Sequence, residues 1–185
     1  PAANEAKTAD PALAETLGLL YDAATAFGVS AVTLDNADTF EGVQGICPTG
    51  WHVPTVTDFT GLVGHCSNSA YVNTEGAYYD AAIKGASLAA LKEAGFDWQF
   101  ASMRNKANTA GKGSYTVTNY NGIYGVMSYL IGSSMHNQPT TNEDGSLKNV
   151  QYYYLMPTYN ASNEKAAVAY GNFLAGSSLR CVKNK

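Results

Sequence analysis

The side chains best suited to catalysis lie in one short stretch, GICPTGWHVPTVTDF (45–59), which carries Cys47, His52 and Asp58. A cysteine acts as a nucleophile when a nearby imidazole keeps it as a thiolate and an oxyanion hole receives the developing charge. The same stretch contains two prolines and two glycines, which are typical of a tight chain reversal. We therefore favour a structural interpretation, in which His52 braces a turn, over a Cys–His catalytic pair.

The chain has three cysteines, Cys47, Cys66 and Cys181, and none of them forms a Cys-x-x-Cys pair. The odd count allows either one disulfide with one free thiol or three thiols. A zinc site would have to gather its ligands from distant parts of the chain, which holds only three histidines. The sequence therefore predicts no metal site of this kind.

The composition favours an exported protein that does not bind nucleic acid. Charged residues make up 14% of the chain, against about 25% in an average domain, so Asn, Ser, Thr, Gly and Tyr must supply the polar surface. The net charge is −4 and Lys and Arg form no cluster, which excludes binding to a phosphate backbone. No apolar run reaches the roughly 18 residues that a membrane span needs.

The length of 185 residues predicts a single domain over residues 1–185. The chain opens with PAANEAKTADPAL, which has no initiator methionine, basic region or apolar leader. Either a leader has been removed or the sequence is a piece of a longer chain. We expect residues 1–10 to form a flexible tail and a removed segment to have served for export or anchoring.

The first predicted helix covers about 11–27. Asp10 is a good N-cap and Pro11 suits the first turn, where its missing N–H costs nothing. Apolar residues then recur at helical spacing, and Gly28 suits the end of the helix. Residues 29–34 are predicted to be extended and to lead into a polar loop.

Two further helices are predicted. Thr55 and Asp58 have the spacing of a capping box with Asp in place of Glu, so a helix should start there and end at Gly64. Another should cover AAIKGASLAALKEAG (81–95), with Gly95 as its stop.

The remainder of the chain predicts strands and loops, which makes the fold class α+β. The residues after Phe96 are rich in glycine and tyrosine, and the segment NEDGSLKN (142–149) indicates a loop or a hairpin tip. The segment GSYTVTNYNGIYGVMSYLIG (113–132) alternates and carries turn signals. The predicted short strands are NVQYYYLMP (149–157), KAAVAYGNF (165–173) and SSLRCVK (177–183).

The stretch VQGICPTGWHVPTVTDF (43–59) resembles the signature of the Fibrobacter succinogenes major paralogous domain. That signature is a Cys-Pro-x-Gly-Trp-His-x-Pro-[Ser/Thr] run followed by an acid and an aromatic residue. LGLLYDAATAF (17–27) is similar to the family's Leu-Tyr helix, AGFDWQFASMRN (94–105) resembles its middle segment, and GSSLRCVK (176–183) resembles its closing strand.

The resemblance implies a C-type-lectin-like fold, in which helices flank a small twisted antiparallel sheet with long loops. It also implies a distant similarity to formylglycine-generating and sulfatase-modifying domains, and a disulfide between Cys47 and Cys181 that leaves Cys66 free and buried. Trp51 is expected to bury a large surface. The motif residues expected to have structural roles are Pro48, Gly50, Trp51, His52, Pro54, Thr55 and Arg180.

A calcium site of the lectin kind is not predicted. Such lectins use Glu-Pro-Asn or Gln-Pro-Asp to bind the ion through carbonyl and carboxylate oxygens. HNQPTTNEDG (136–145) contains Gln138 and Pro139, but Thr140 replaces the third ligand and no Trp-Asn-Asp follows. We therefore expect an ordinary polar loop and no cofactor.

Tyrosine and asparagine crowd the final third of the chain and favour a ligand-binding surface. Tyrosine gives rigid amphipathic contact area and asparagine gives adaptable hydrogen bonds. Alternation along a strand places Tyr152 and Tyr154 on one face and Tyr153 on the other, so an alternative assigns half of these residues to the core. The predicted ligand-binding residues are Tyr152, Tyr154, Tyr159, Asn160, Asn163, Tyr170 and Asn172.

These observations together predict a non-enzymatic domain, secreted or on the cell surface of a bacterium, that recognises a glycan or a protein in adhesion. One alternative is a retroelement-diversified receptor, since such receptors concentrate Asn, Tyr and Ser near their C-terminus. Another is a structural subunit of a surface appendage or cell envelope. A third is an enzyme of the formylglycine-generating type, which would need a second cysteine beside Cys181.

Overall fold

The computed structural model describes residues 18–67, 86–98, 101, 128–145, 147–148, 150–160 and 163–185. Three helices lie within these residues: α1 (Ala23–Phe27), α2 (Val56–Ser67) and α3 (Leu88–Glu93). The strands there are β1 (Trp51–His52), β2 (Ala86–Ser87), β3 (Leu130–Met135), β4 (Thr140–Thr141), β5 (Leu147–Lys148), β6 (Gln151–Asn160), β7 (Asn163–Asn172) and β8 (Val182–Lys183). The fold class is therefore α+β, as predicted.

The largest sheet among the described strands is antiparallel and has the order β2–β7–β6–β3. Its centre is the β6–β7 hairpin, which is paired from Gln151 opposite Asn172 to Asn160 opposite Asn163. Two smaller sheets pair β1 with β8 and β4 with β5. The β1–β8 pair brings the stretch after Cys47 to the end of the chain.

The four-stranded sheet is packed on both of its faces, because successive side chains of a strand point to opposite sides. On one face, Tyr152 and Tyr154 join a core made with α1 and the loop after it. On the other face, Leu155 and Val168 join a core made with α2 and α3. The tyrosine-rich strands therefore form the middle of the described structure.

Helix α1 is shorter than the predicted helix over 11–27, of which residues 11–17 lie outside the described part of the chain. The prediction is wrong for residues 18–22. Tyr21 instead exchanges backbone hydrogen bonds of 2.7 and 2.8 Å with Ser177, which ties this segment to the closing part of the chain.

The ends of α1 follow from local chemistry. Asp22 is its N-cap, with Oδ1 accepting from the backbone N–H of Thr25 at 2.8 Å. Gly28 ends the helix with a left-handed φ of 73°, as predicted. Residues 29–34 form no strand in the structure, because the Asn36 side chain accepts a backbone N–H at 2.7 Å and folds the segment into a turn.

Helix α2 begins at the predicted capping box. The backbone N–H and hydroxyl of Thr55 donate to Asp58 at 2.8 and 2.6 Å, and the Asp58 N–H donates back to the Thr55 hydroxyl at 3.1 Å. The predicted stop at Gly64 is wrong, since the helix runs to Ser67. Glycine within a helix costs only about 1 kcal/mol, and the extra turn packs Cys66 against the core.

Helix α3 begins later than predicted and ends where predicted. The Ser87 hydroxyl accepts from the Ala90 N–H at 3.1 Å and caps the helix, while Ala86 and Ser87 pair with β7. Gly95 follows the helix with a φ of 79°. The first part of the prediction, residues 81–85, lies outside the described residues.

The predicted strands over 149–157 and 165–173 are confirmed as β6 and β7. Of the two alternatives for 142–149, a loop or a hairpin tip, the structure shows the hairpin that joins β4 to β5. The strand predicted over 177–183 is confirmed only at β8, because the residues before it make single bridges rather than a ladder. Strand β3 lies partly within 113–132, of which residues 113–127 are outside the described part.

None of the helices in the described ranges is long and apolar enough to cross a membrane. The predicted tail over residues 1–10 lies outside the described residues. The single domain over residues 1–185 stays a prediction.

Candidate functional site

The stretch 45–59 contains a turn that is hydrogen-bonded to the end of the chain. The Trp51 N–H donates to the Pro48 carbonyl at 2.9 Å, and Gly50 supplies the positive φ of 83° that the reversal requires. Strand β1 then pairs with β8, and the Asn184 N–H donates to the Gly50 carbonyl at 2.9 Å. Pro54 follows as a fully buried residue that leads into α2.

The predicted disulfide between Cys47 and Cys181 is confirmed. It joins residues 134 positions apart, with the two Cα atoms 5.8 Å from each other. Cys66 is the free cysteine and is half-buried rather than fully buried. Burial raises the pKa of the Cys66 thiol, so this group is a poorer nucleophile than an exposed thiol.

We call the cluster of Cys47, His52, Thr55, Asp58 and Cys181 the motif junction. Both ring nitrogens of His52 have partners within it or beside it. Nδ1 lies 2.7 Å from Asn184 Oδ1, and Nε2 lies 3.0 Å from Asp58 Oδ2. His52 therefore connects the start of α2 to the chain end.

The charges in the motif junction stabilise each other. Burial alone would lower the pKa of His52, but hydrogen bonds to Asp58 and Asn184 and the charge of Asp58 outweigh it and raise this pKa above 6.5. Burial alone would raise the pKa of Asp58, but hydrogen bonds from Thr55 and His52 and the His52 charge lower it below 3.8. At mildly acidic pH, protonated His52 and ionised Asp58 therefore form a charge-assisted hydrogen bond.

Trp51 does not bury the large surface that the motif predicts. Its side chain is 38% exposed, which places it with Leu34 and Ile46 among the exposed large apolar residues. Alternation along β1 gives the inner position to His52, and Val53 fills the core after it. The expectation for Trp51 is wrong because a two-residue strand can turn only one of its side chains inward.

The prediction that Tyr152 and Tyr154 contact a ligand is wrong. Both side chains are fully buried, and their hydroxyls donate to the backbone carbonyls of Ala37 at 2.7 Å and Asn172 at 3.2 Å. Burial raises the pKa of both phenols. Phe27 packs edge-on against Tyr152, with ring centroids 4.9 Å apart, so these rings belong to the core.

The other predicted ligand-binding residues lie near one end of the β6–β7 hairpin or outside the described side chains. Half-buried Tyr170 stacks on His136 with centroids 3.8 Å apart. Asn172 Oδ1 accepts from a backbone N–H at 2.9 Å. Their contact with a ligand stays a prediction. The same holds for Tyr159, Asn160 and Asn163, whose side chains lie outside the described part.

The loop considered for calcium forms the small β4–β5 hairpin. Thr140 donates its hydroxyl to the Lys148 carbonyl at 3.0 Å. Among the described residues, no group of three or more His, Cys, Asp and Glu side chains could hold a metal ion.

Two clefts meet at Arg180, which sequence reasoning treated only as a motif residue. Its guanidinium lies over the Phe96 ring, 4.7 Å from the centroid, and Nη1 donates to the Asp97 carbonyl. The apolar cleft has a volume of about 260 Å³ and is lined by Phe59, Leu62, Phe96, Val182 and neighbouring residues, with Asp58 and Arg180. The polar cleft has a volume of about 250 Å³ and is lined by Asp97, Trp98, Ser128, Ser178 and Arg180 with two leucines.

One residue of the polar-cleft lining, Ser128, carries a buried hydroxyl that has no hydrogen-bond partner among the described residues. Ser128 is only 1% exposed, and its Oγ is the atom concerned. Leaving such a group unsatisfied costs roughly 1–3 kcal/mol. No sequence signal marks Ser128, because only the strand arrangement brings it beside Trp98 and Arg180.

Comparison with known proteins identifies the family. The model described as the Fibrobacter succinogenes major domain matches residues 2–183, so the chain belongs to this family, as the resemblance of its motifs predicted. No curated protein and no solved structure shows significant similarity to the chain.

Proposed function

We propose that this member of the Fibrobacter succinogenes major domain family is an exported, non-enzymatic binding domain with a C-type-lectin-like fold. It recognises a glycan or a protein through the two clefts that meet at Arg180. The observation that carries the proposal is the lining of these clefts, where aromatic and apolar side chains stand beside a few polar groups. Ligand sites in proteins commonly combine these two kinds of lining.

The chemistry of the motif junction supports a binding role rather than catalysis. The groups that could act as nucleophile or base already have partners within the protein. Cys47 forms a disulfide with Cys181, and the two ring nitrogens of His52 are hydrogen-bonded to Asn184 and Asp58. An enzyme of the formylglycine-generating type needs a reactive cysteine pair, whereas the free thiol here is Cys66 on helix α2.

The disulfide supports export, because such bonds persist in oxidising compartments and are rare in the cytosol. The helices α2 and α3 on one face of an antiparallel sheet, together with the pairing of β1 and β8, agree with the proposed C-type-lectin-like fold.

A glycan array tests the proposal. The purified domain is applied with calcium and again with chelator, beside Arg180→Ala and the control Lys148→Ala. The control removes an exposed cation from the β4–β5 hairpin, whose strands line neither cleft. We expect binding that survives the chelator, falls with Arg180→Ala and is unchanged in the control. If the array is empty, pull-down of proteins from the host cell surface is the second arm.

Binding that disappears with chelator would favour calcium recognition and contradict the assignment to the Arg180 clefts. Equal binding by wild type and Arg180→Ala would place the ligand elsewhere. No ligand in either arm would overturn the binding role itself and leave an assembly role to test by concentration-dependent sedimentation.

A further inference from the structure

We infer that the polar cleft binds one neutral sugar residue and does so without a metal ion. This inference rests on the proposed binding function and narrows its ligand. It is carried by the size of the cleft, the balance of its charges and the buried hydroxyl of Ser128.

The size of the polar cleft suits a single sugar ring. Its volume of about 250 Å³ lies just below the roughly 300–1,000 Å³ that drug-sized ligands occupy. The half-buried indole of Trp98 lines one side and stacks on Phe96, with centroids 6.1 Å apart. An aromatic wall of this kind suits the C–H face of a pyranose, which is apolar although its edges carry hydroxyls.

The charges of the polar cleft favour a neutral ligand. Asp97 and Arg180 contribute one negative and one positive group, and both residues are exposed. The two opposite charges offset each other, so the cleft has little net attraction for either an acidic or a basic ligand. Sugar hydroxyls suit both groups, because each hydroxyl can donate to a carboxylate and accept from a guanidinium. The guanidinium has five N–H donors, of which the contact of Nη1 with the Asp97 carbonyl uses one.

A bound ligand would supply the hydrogen-bond partner that the Ser128 hydroxyl lacks among the described residues. This hydroxyl is buried, it has no partner within the described residues, and its residue lines the cleft. Rotation about the Cα–Cβ bond moves a serine hydroxyl among three staggered positions, so a sugar hydroxyl entering the cleft can bring it into a hydrogen bond. Ser178 adds a second serine on the same lining.

Intrinsic fluorescence gives a direct test, because the chain has only two tryptophans. The Trp51→Phe variant leaves Trp98 as the sole indole, and it is titrated in chelator with the methyl glycosides of glucose, mannose, galactose and N-acetylglucosamine. We expect a saturable change with at least one of them. In this background Asp97→Asn and Ser128→Ala should each weaken binding at least five-fold, and the control Ser30→Ala, an exposed serine of the loop after α1, less than two-fold. Glucuronic acid should bind at least five-fold more weakly than the best neutral glycoside.

The remaining outcomes distinguish failure of the sugar inference from failure of the proposed binding function. If none of the four glycosides gives a saturable change while the pull-down finds a protein ligand, the sugar inference is wrong and the binding function stands. If the array finds a glycan, the methyl glycoside of its terminal sugar is titrated in the same way, and the absence of a saturable change overturns the single-sugar site. Tighter binding of glucuronic acid overturns the neutral ligand, and a requirement for calcium overturns metal-free recognition. Unchanged affinity in both Asp97→Asn and Ser128→Ala overturns the polar cleft as the site.

Discussion

The motif junction and the polar cleft are built from neighbouring residues, but their polar groups differ in whether they have hydrogen-bond partners within the protein. Cys181 and Asn184 belong to the contacts of the junction, whereas Arg180 lies in the cleft. In the junction, Asp58 and His52 are fully engaged with protein partners. In the cleft, the Ser128 hydroxyl has no partner among the described residues.

This difference contrasts groups that stabilise the fold with a group that is available to the proposed ligand. A polar group that already has a partner lowers the free energy of the folded state and has little left to offer a ligand. A buried group without a partner costs folding free energy and regains it when a ligand arrives. The residues that look most reactive in the sequence therefore stabilise the fold, while an inconspicuous serine marks the candidate binding cleft.

The largest expected effect in this comparison comes from the disulfide of the motif junction. Replacing Cys47 and Cys181 together by serine should lower the free energy of unfolding by roughly 4–5 kcal/mol, because the bond closes a very long loop in the unfolded chain. Urea denaturation measures it. Cys66→Ser is the matched control and should cost about 1 kcal/mol or less. A double variant as stable as the control would contradict the stabilising role of the junction.

The second effect comes from the carboxylate of Asp58. Asp58→Ala removes the carboxylate half of the capping box of α2 and the partner of His52, and should cost roughly 2 kcal/mol. Chemical denaturation at pH 6 measures the loss, with Asp35→Ala as control because Asp35 is exposed in a loop. If both variants lose the same amount, the junction contacts do not stabilise the fold as argued.

The third prediction compares two serines that are equally buried, each 1% exposed. The Ser133 hydroxyl donates to the Val53 carbonyl at 3.0 Å and accepts from the Gly42 N–H at 2.9 Å, so Ser133→Ala should destabilise by about 1–2 kcal/mol. Ser128→Ala removes an unsatisfied hydroxyl and should stabilise by up to about 1 kcal/mol. Thermal unfolding of both variants measures the signs. The same loss in both would show that the Ser128 hydroxyl has a partner in the folded protein.

The smallest expected effect is a pH dependence of the free energy of unfolding, caused by His52 in the motif junction. The pKa of His52 is raised above 6.5 in the folded state, so its protonation stabilises the fold fully below 6.5 and this stability is lost as the pH rises through the folded pKa. Denaturation at pH 5.5 and 8.5 should show this loss in wild type and not in His52→Gln. An identical pH dependence in both proteins would assign the effect to another group.

Local chemistry explains why some elements were predictable. Thr55 and Asp58 form their capping box from residues three positions apart, and Gly28 and Gly95 end their helices with a positive φ. The α1 segment was predicted too long because Tyr21 bonds to Ser177, a partner that no window of sequence around Tyr21 contains.

The tyrosine-rich strands were predictable as strands but not as core. Alternation correctly placed Tyr152 and Tyr154 on one face, yet it does not say whether one face or both faces of a sheet are covered. The structure covers both faces of β6 and β7 with separate cores. The hydroxyls of the buried tyrosines are tolerated because Ala37 and Asn172 supply carbonyl partners.

The sequence by itself determined the family, the α+β class, the helix caps and, through its motifs, the pairing of Cys47 with Cys181. These depend on residue types at fixed short spacings or on a motif long enough to be specific. Only the tertiary structure decided that Trp51 is exposed, that Tyr152 is buried and that Ser128 stands beside Trp98 and Arg180. Burial and clefts arise where distant segments meet, and those meetings depend on strand order and layer packing rather than on any local pattern.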